Sequence, residues 1–315
     1  MSYHILHITT PNCYLSVDKG LLFCSWKDGT KNSIALSDIR AVIVATQGVS
    51  FSNNAIVRLL ENNVVILHCN NSYVPVGWSV PLERIVRTKV FYNQIAQNSD
   101  FERALWDKLL YSKVCNQAKN LDLIGNNEHN LYNLINKPLM NEANIAKQYW
   151  QNYFIKIGNP MKREHLNAET FENGCLNYGY AVINSLVYRS IIVHGLIAGL
   201  GVHHKGKYKS TPLVYDLMEP YRAFIDYYFF LFVLDYKSDY EVENYKAWFK
   251  YLADCIKNYR LKINNISYKL IDSIDIYVEK IVDAYMKFDV SQIFLPDIKK
   301  QYLHIDKHRN REYEE

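Results

Sequence analysis

FERALWDKLLYSKVCNQAK, residues 101–119, is where the chain changes period. Leu105, Leu109, Val114 and Cys115 fall at the spacing of a helix that buries one face. Upstream, the period is that of strands. Short apolar stretches recur at YHILHIT (3–9), YLSV (14–17), LLFCSW (21–26), SIALS (33–37), IRAVIVAT (39–46), NVVILHC (63–69) and YVPVGWS (73–79). Turn residues such as Asp18-Lys19-Gly20 and Asp28-Gly29 separate them. One helix interrupts, with Ser52 as N-cap before Asn53–Glu61 and Ile56, Leu59 and Leu60 on one face. Downstream, helical spacing continues through Ala143–Ile157, Cys175–Leu200, Pro212–Tyr236, Tyr240–Tyr259 and Ile263–Phe288.

The expected class is therefore α+β. A small N-terminal β-sandwich-like domain spans 1–90 and a larger all-α domain spans 91–315, with the boundary near Ile85–Phe91. Asn126–Asn136 reads as an Asn-rich loop. The mixed-charge tail, 305–315, reads as frayed.

Composition narrows the function classes. Of 315 residues, 49% are hydrophobic and 22% charged, enough to bury a sizeable core and to argue against disorder. The 26 tyrosines could stack on bases, but with abundant Asn, Ile and Lys they read more simply as A/T-rich codon usage. A net charge of +4 permits a polyanionic partner without demanding one. Cys13, Cys24, Cys69, Cys115, Cys175 and Cys255 are scattered without metal-ligand spacing, which suits buried thiols in a reducing compartment. The most apolar run, Tyr227–Leu234, is too short to span a bilayer and reads as core or as a dimer face. With no basic, apolar leader at the start, a cytoplasmic protein with no membrane contact is expected.

Chemistry concentrates in GLGVHHKGKYKSTPLVYDLMEPYR, Gly199–Arg222. Thr211-Pro212 is a helix-start signature, and the helix it opens carries Asp216 and Glu219 at i and i+3. His203 and His204 lie upstream, followed by Lys205, Lys207 and Lys209. Two carboxylates, an imidazole and three lysines suit a cation beside phosphates. By itself the segment also fits a solvated acidic face, a turn rich in His and an ordinary charged loop. Arg222 suits either an ion pair with Glu219 or Asp226, or a phosphate contact. His165 and His194 read as packing or surface residues; Trp106, Trp150 and Trp248 read as core.

GVHH, followed fifteen residues after His204 by the Glu of DLMEPYR, resembles the signature of the CRISPR-associated adaptation integrases. CLNYGYAVINSLVYRSIIVHGL (175–196) is similar to that family's LNYGY helix. LWDKLLYSKVCNQAKNL (105–121) resembles another family helix through Lys113, Asn116 and Gln117. NEANIAKQYWQNYF (141–154) is similar to the segment carrying the family's first ligand, here Glu142. Tyr221 and Ala223 replace the Phe and Pro usual in DLMEPFRP. The paired-His form looks most like members that accompany single-protein RNA-guided effectors.

The resemblance implies that Glu142, His204 and Glu219 are catalytic and bind Mg²⁺ or Mn²⁺. His203 stands beside the ligand position, but the family's turn ends on its ligand His, which selects His204. Asp216 and His203 become supporting residues behind the ligands, and Asp216 an alternative ligand. Lys205, Lys207, Lys209 and Arg222 become contacts to DNA phosphates. The implied activity is insertion of spacer DNA into a CRISPR array by attack of a 3′-hydroxyl on a phosphodiester. Implied partners are double-stranded DNA, a second copy of the chain and a small ferredoxin-fold protein. Rival readings are a metal-dependent nuclease resolving branched DNA, a transposon-encoded integrase relative, and a non-catalytic DNA-binding subunit.

Overall fold

The computed structural model describes residues 4–70, 75–81, 88–126, 129–135, 142–165, 168–205, 210–236, 245–263 and 266–299. The N-terminal region carries strands β1 (His4–Ile8), β2 (Tyr14–Asp18), β3 (Leu21–Ser25), β4 (Lys31–Ala35), β5 (Ile39–Val44) and β6 (Ser50–Phe51). Helix α1 (Asn53–Glu61), β7 (Val65–Cys69) and β8 (Pro75–Ser79) follow. They form two four-stranded sheets, in the orders β1-β5-β7-β8 and β4-β3-β2-β6. β1, β5 and β7 run parallel, with β8 antiparallel at the edge. Asp18 pairs with Leu21, so Lys19 and Gly20 alone make the β2–β3 turn. Their φ angles of 45° and 79° are the left-handed pair that such hairpins require, and Gly20 meets that need without steric cost. Ser52 caps α1 as expected, its side chain accepting from the Ala55 N–H.

The unbroken apolar run in β5 has a physical cause: both faces of its sheet are covered. Val42 and Val44 of β5, with Ile66 of β7, pack into the core between the two sheets. Ala41 and Ile43, with Leu67, point the other way into the helical core. Parallel strands covered on both sides read as continuous rather than alternating hydrophobicity. The β-rich and helical regions therefore share one apolar layer, and polar ties reinforce it. The Tyr178 hydroxyl bonds His7 Nδ1 at 2.5 Å, and Arg189 donates to the Asn63 carbonyl while pairing with Asp275. Residues 85–87 of the expected boundary lie outside the described residues.

The helical region comprises α2 (Thr88–Ile95), α3 (Ser99–Leu123), α4 (Leu131–Ile135), α5 (Glu142–Lys156), α6 (Phe171–Val193), α7 (Pro212–Met218), α8 (Arg222–Asp235) and α9 (Tyr245–Asn258). A hairpin, β9 (Arg260–Ile263) and β10 (Ile266–Lys269), precedes α10 (Leu270–Lys287). The region is mostly helical as expected, but this hairpin replaces the start of the helix expected over Ile263–Phe288. Leu261 and Ile263 are buried and Arg260 and Lys262 exposed, an alternation that belongs to a strand. α4 corrects the loop expectation over Asn126–Asn136, since Leu131 and Leu134 recur at helical spacing and are buried. The tail, 305–315, lies outside the described residues. Tyr227, Tyr228, Phe229, Phe232 and Val233 are buried, so the apolar run of α8 is core, with Leu234 exposed. Trp248 is core as expected, while Trp150 is only partly buried. No disulfide forms among the described residues, and none of the described helices is long and apolar enough to cross a membrane.

Candidate active site

Pro220 shapes the site. It has no N–H to donate back to Asp216, so the helix cannot continue in α form through it. The expected single helix Pro212–Tyr236 is instead α7, a 3₁₀ turn at Glu219–Tyr221, and α8. The Pro220 carbonyl accepts from Asn116 Nδ2 on α3 at 2.8 Å, and the same amide donates to Pro296 and accepts from the Ile298 N–H. Thr211 precedes Pro212 as expected but makes no side-chain cap.

The acidic pair is not a solvated face. Asp216 is fully buried, and its carboxylate accepts from the backbone N–H groups of Val202 (2.6 Å), His203 (3.1 Å) and His204 (3.1 Å). It also bonds His204 Nδ1 at 2.6 Å. One carboxylate thus folds the G-V-H-H turn onto α7 and fixes the His204 ring by one nitrogen, which leaves Nε2 for a ligand. Gly201 is needed for this approach. A Cβ there would stand 2.5 Å from the His204 carbonyl oxygen and 3.1 Å from Asp216 Oδ2. The two histidines part company here. His203 stacks on Trp106, with ring centroids 4.1 Å apart and planes 4° from parallel, whereas His204 opens onto a cavity.

That cavity, of about 970 Å³, gathers residues from six segments of the chain. α3 contributes Lys113, α5 its first residue Glu142, and α6 Tyr180; the following turn gives His204, and the 3₁₀ turn and α8 give Glu219 and Arg222. Lys113 Nζ lies 2.6 Å from Glu142 Oε1 and 2.8 Å from Glu219 Oε2. Arg222 Nε takes the other Glu219 oxygen at 3.0 Å, and its guanidinium lies over the Tyr180 ring. Burial raises the Glu219 carboxyl, but Arg222, Lys113 and His204 outweigh it and hold the group below the usual carboxylate range.

Glu142, His204 and Glu219 thus share one cavity, with Asp216 behind His204. Among the described residues no three His, Cys, Asp or Glu side chains form a ready-made metal cage, and an ammonium stands against the two carboxylates. Yet the donor chemistry fits a hard dication. Two carboxylates already converge on one positive charge, and Glu219 Oε2, though buried and ion-paired, accepts no hydrogen bond among the described residues.

Lys205 pairs with Glu102 at 2.6 Å and remains half exposed. Lys207 and Lys209 lie outside the described residues. His194 ends α6, its ring bonded to the Ser190 carbonyl, which is the structural role expected. His165 is exposed, in keeping with a surface residue, and it also lines the cavity. Partial burial, then the charges of Arg163, Arg222 and Lys113, lower its pKa to about 4. The sequence reading also missed Lys113 as part of the site, and Arg163, a buried guanidinium over Trp150 and Tyr180. The only signal for Lys113 was its place in the NQ-containing helix.

A family profile described as CRISPR associated protein Cas1 matches residues 6–246, most of the chain. The chain belongs to this family. A Cas1 relative from Neisseria meningitidis serogroup C, named a CRISPR-associated endonuclease, is 26% identical over 208 residues, covering 64% of this chain and 66% of its own length. The chain thus spans about two-thirds of that relative. A casposase bound to integration product superposes with a TM-score of 0.77 at 14% identity, covering 96% of this chain and 97% of its own. A Cas6-RT-Cas1–Cas2 complex contains a region superposing at 0.76 and 16% identity, covering 95% of this chain and 36% of its own. At these identities the likeness concerns the fold, and it spans both the sheets and the helices.

Proposed function

We propose that this chain is a metal-dependent DNA integrase that inserts spacer DNA into a CRISPR array. Family membership supports the reaction class, and the observation carrying the reading is that Glu142, His204 and Glu219 share one cavity. The reaction is a transesterification: a 3′-hydroxyl forms a new phosphodiester bond as the old P–O bond breaks. Glu142, His204 and Glu219 would hold Mg²⁺ or Mn²⁺, which supplies charge neutralisation at the reacting phosphate. Asp216 orients His204, and Arg222 fixes one oxygen of Glu219. No protein nucleophile is needed, so positioning carries much of the rate.

Double-stranded DNA, a second copy of the chain and a small ferredoxin-fold partner complete the assembly, and the setting is the cytoplasm. The Cas1–Cas2 complex among the structural relatives favours such a partner. Lys205, Lys207, Lys209 and Arg222 would face DNA phosphates.

A casposase bound to integration product, among the similar structures, keeps a transposon-type integrase as the second reading; a branched-DNA nuclease would use the same residues. A non-catalytic subunit fits less well, since it would have no need of two converging carboxylates beside an oriented imidazole. The test is strand transfer of a labelled duplex into repeat DNA with Mn²⁺ or with chelator. Glu219→Gln and His204→Ala should each lower the rate by at least about a hundredfold in a chain that still melts cooperatively. Wild-type rates in His204→Ala with loss in His203→Ala would reverse the choice of histidine, and full activity in chelator would end the metal reading.

A further inference from the structure

We propose that Lys113 is a built-in counter-cation for Glu142 and Glu219, which a divalent ion must displace before the site is loaded. This deepens the metal-dependent reading above and rests on it. Glu219 is 3% exposed and the Lys113 side chain 11%, so their contact is no solvent-screened surface pair. The same ammonium meets a second carboxylate, Glu142, at 2.6 Å. Without a cation there, two like charges would face each other in a partly dry cavity at an electrostatic cost.

The division of the Glu219 oxygens separates Lys113 from Arg222. Arg222 reaches Oε1 from the next turn of the same chain segment, while Lys113 takes Oε2, the oxygen turned toward Glu142's partner. A dication held by Glu142 and Glu219 would compete with Lys113 for their oxygens. Two cations cannot crowd onto those oxygens without strong repulsion, so loading and the Lys113 contacts exclude each other. The empty-of-metal site is thereby kept intact, and its affinity for metal is weakened by competition. The side chain is rooted in the buried face of α3 beside Asn116 and Gln117, so a displaced ammonium stays in the cavity, where it can meet an anionic oxygen.

The experiment is calorimetric titration of the full chain with MnCl₂, paired with thermal melts. Wild type, Lys113→Met, Lys113→Arg and Glu219→Gln are compared. Lys113→Met should bind Mn²⁺ about tenfold more tightly, because the competing charge is gone. It should melt lower than wild type without metal and gain more from Mn²⁺, while Lys113→Arg stays near wild type in affinity. Lys113→Gln repeats the comparison should the apolar variant not fold. Wild-type binding that Glu219→Gln abolishes, with no tightening in Lys113→Met or Lys113→Gln, overturns the counter-cation alone. No binding heat in wild type or either neutral variant overturns the metal reading and the counter-cation with it.

Discussion

Glu219 and Asp226 leave the same short stretch of chain, both buried, and are neutralised in opposite ways. Glu219 faces the cavity and is held by cations, Lys113 on one oxygen and Arg222 on the other. Asp226 lies deeper and is held by hydroxyls. Tyr149 donates to Oδ2 at 2.6 Å, Tyr180 to Oδ1 at 2.5 Å, and Tyr153 to its carbonyl at 2.7 Å. Burial drives Asp226 up to about 6, against those tyrosines and the more distant Arg163 and Arg222, while the cations keep Glu219 low. Cationic partners can be exchanged for another cation. Neutral donors in the core cannot, so Asp226 braces Tyr180, and through it the arginines stacked there, whereas Glu219 remains available to a ligand.

Asp216 is the third buried carboxylate of this stretch, held by N–H donors, and breaking it should have the largest effect. Asp216→Ala leaves three backbone N–H groups and His204 Nδ1 without their acceptor. A stability loss of about 2–4 kcal/mol is expected in denaturant melts, since each stranded buried donor costs on the order of 1–3 kcal/mol and the turn can partly relax. Mn²⁺ affinity should fall roughly tenfold to a hundredfold as the imidazole loses its orienting partner. Unchanged affinity in the folded variant would mean that His204 needs no such support.

The next effect tests the Asp226 side of the contrast through pH. Its carboxyl titrates higher folded than unfolded, so the folded state binds the extra proton between the two values. Asp226 therefore favours folding at low pH, and that contribution is lost as pH rises from about 4 through about 6. The swing is on the order of 3 kcal/mol. Glu219 works the other way: its stabilisation is present at neutral pH and is lost only as pH falls below the ordinary glutamate range. Melting curves of Asp226→Asn against wild type across this window should differ in slope, the variant being flatter. Parallel slopes would remove Asp226 as the titrating group.

The smallest effect concerns charge outside the cavity. The triple change of Lys205, Lys207 and Lys209 to Ala should weaken binding to repeat and scrambled duplexes alike. It should flatten the salt dependence by about one unit of slope per lost phosphate contact. An unchanged slope, read from affinity against salt concentration, would make these lysines an ordinary solvated loop, with Lys205 serving only its pair with Glu102.

Local pattern carried much of this molecule. Short apolar stretches between turn residues gave the strands, the Lys19-Gly20 turn and the Ser52 cap were legible residue by residue, and helical spacing gave α3 and α5 within a few residues, whereas α6 ends at Val193, well short of the expected Leu200. It failed where two signals overlapped. Leu261 and Ile263 alternate over too few residues to stand out from the helix that follows, and Pro220 was absorbed into one long helix although its missing N–H breaks it. Of the site, Glu142, His204 and Glu219 were named through a family pattern, and their gathering in one cavity depends on elements far apart in sequence.

The sequence by itself determined most of the strands and helices, since period and turn chemistry are local properties of the chain. It also determined family membership, through motif spacing that one chain carries without reference to its fold. Only the tertiary structure decided the state of each charged group. The same carboxylate group is held by N–H donors at Asp216, by cations at Glu219 and by hydroxyls at the second aspartate, Asp226, because desolvation and partners depend on what the fold packs against each side chain. Lys113 is the sharpest instance. In sequence it is one lysine in a helix, and in the fold it is the charge against which two distant carboxylates close.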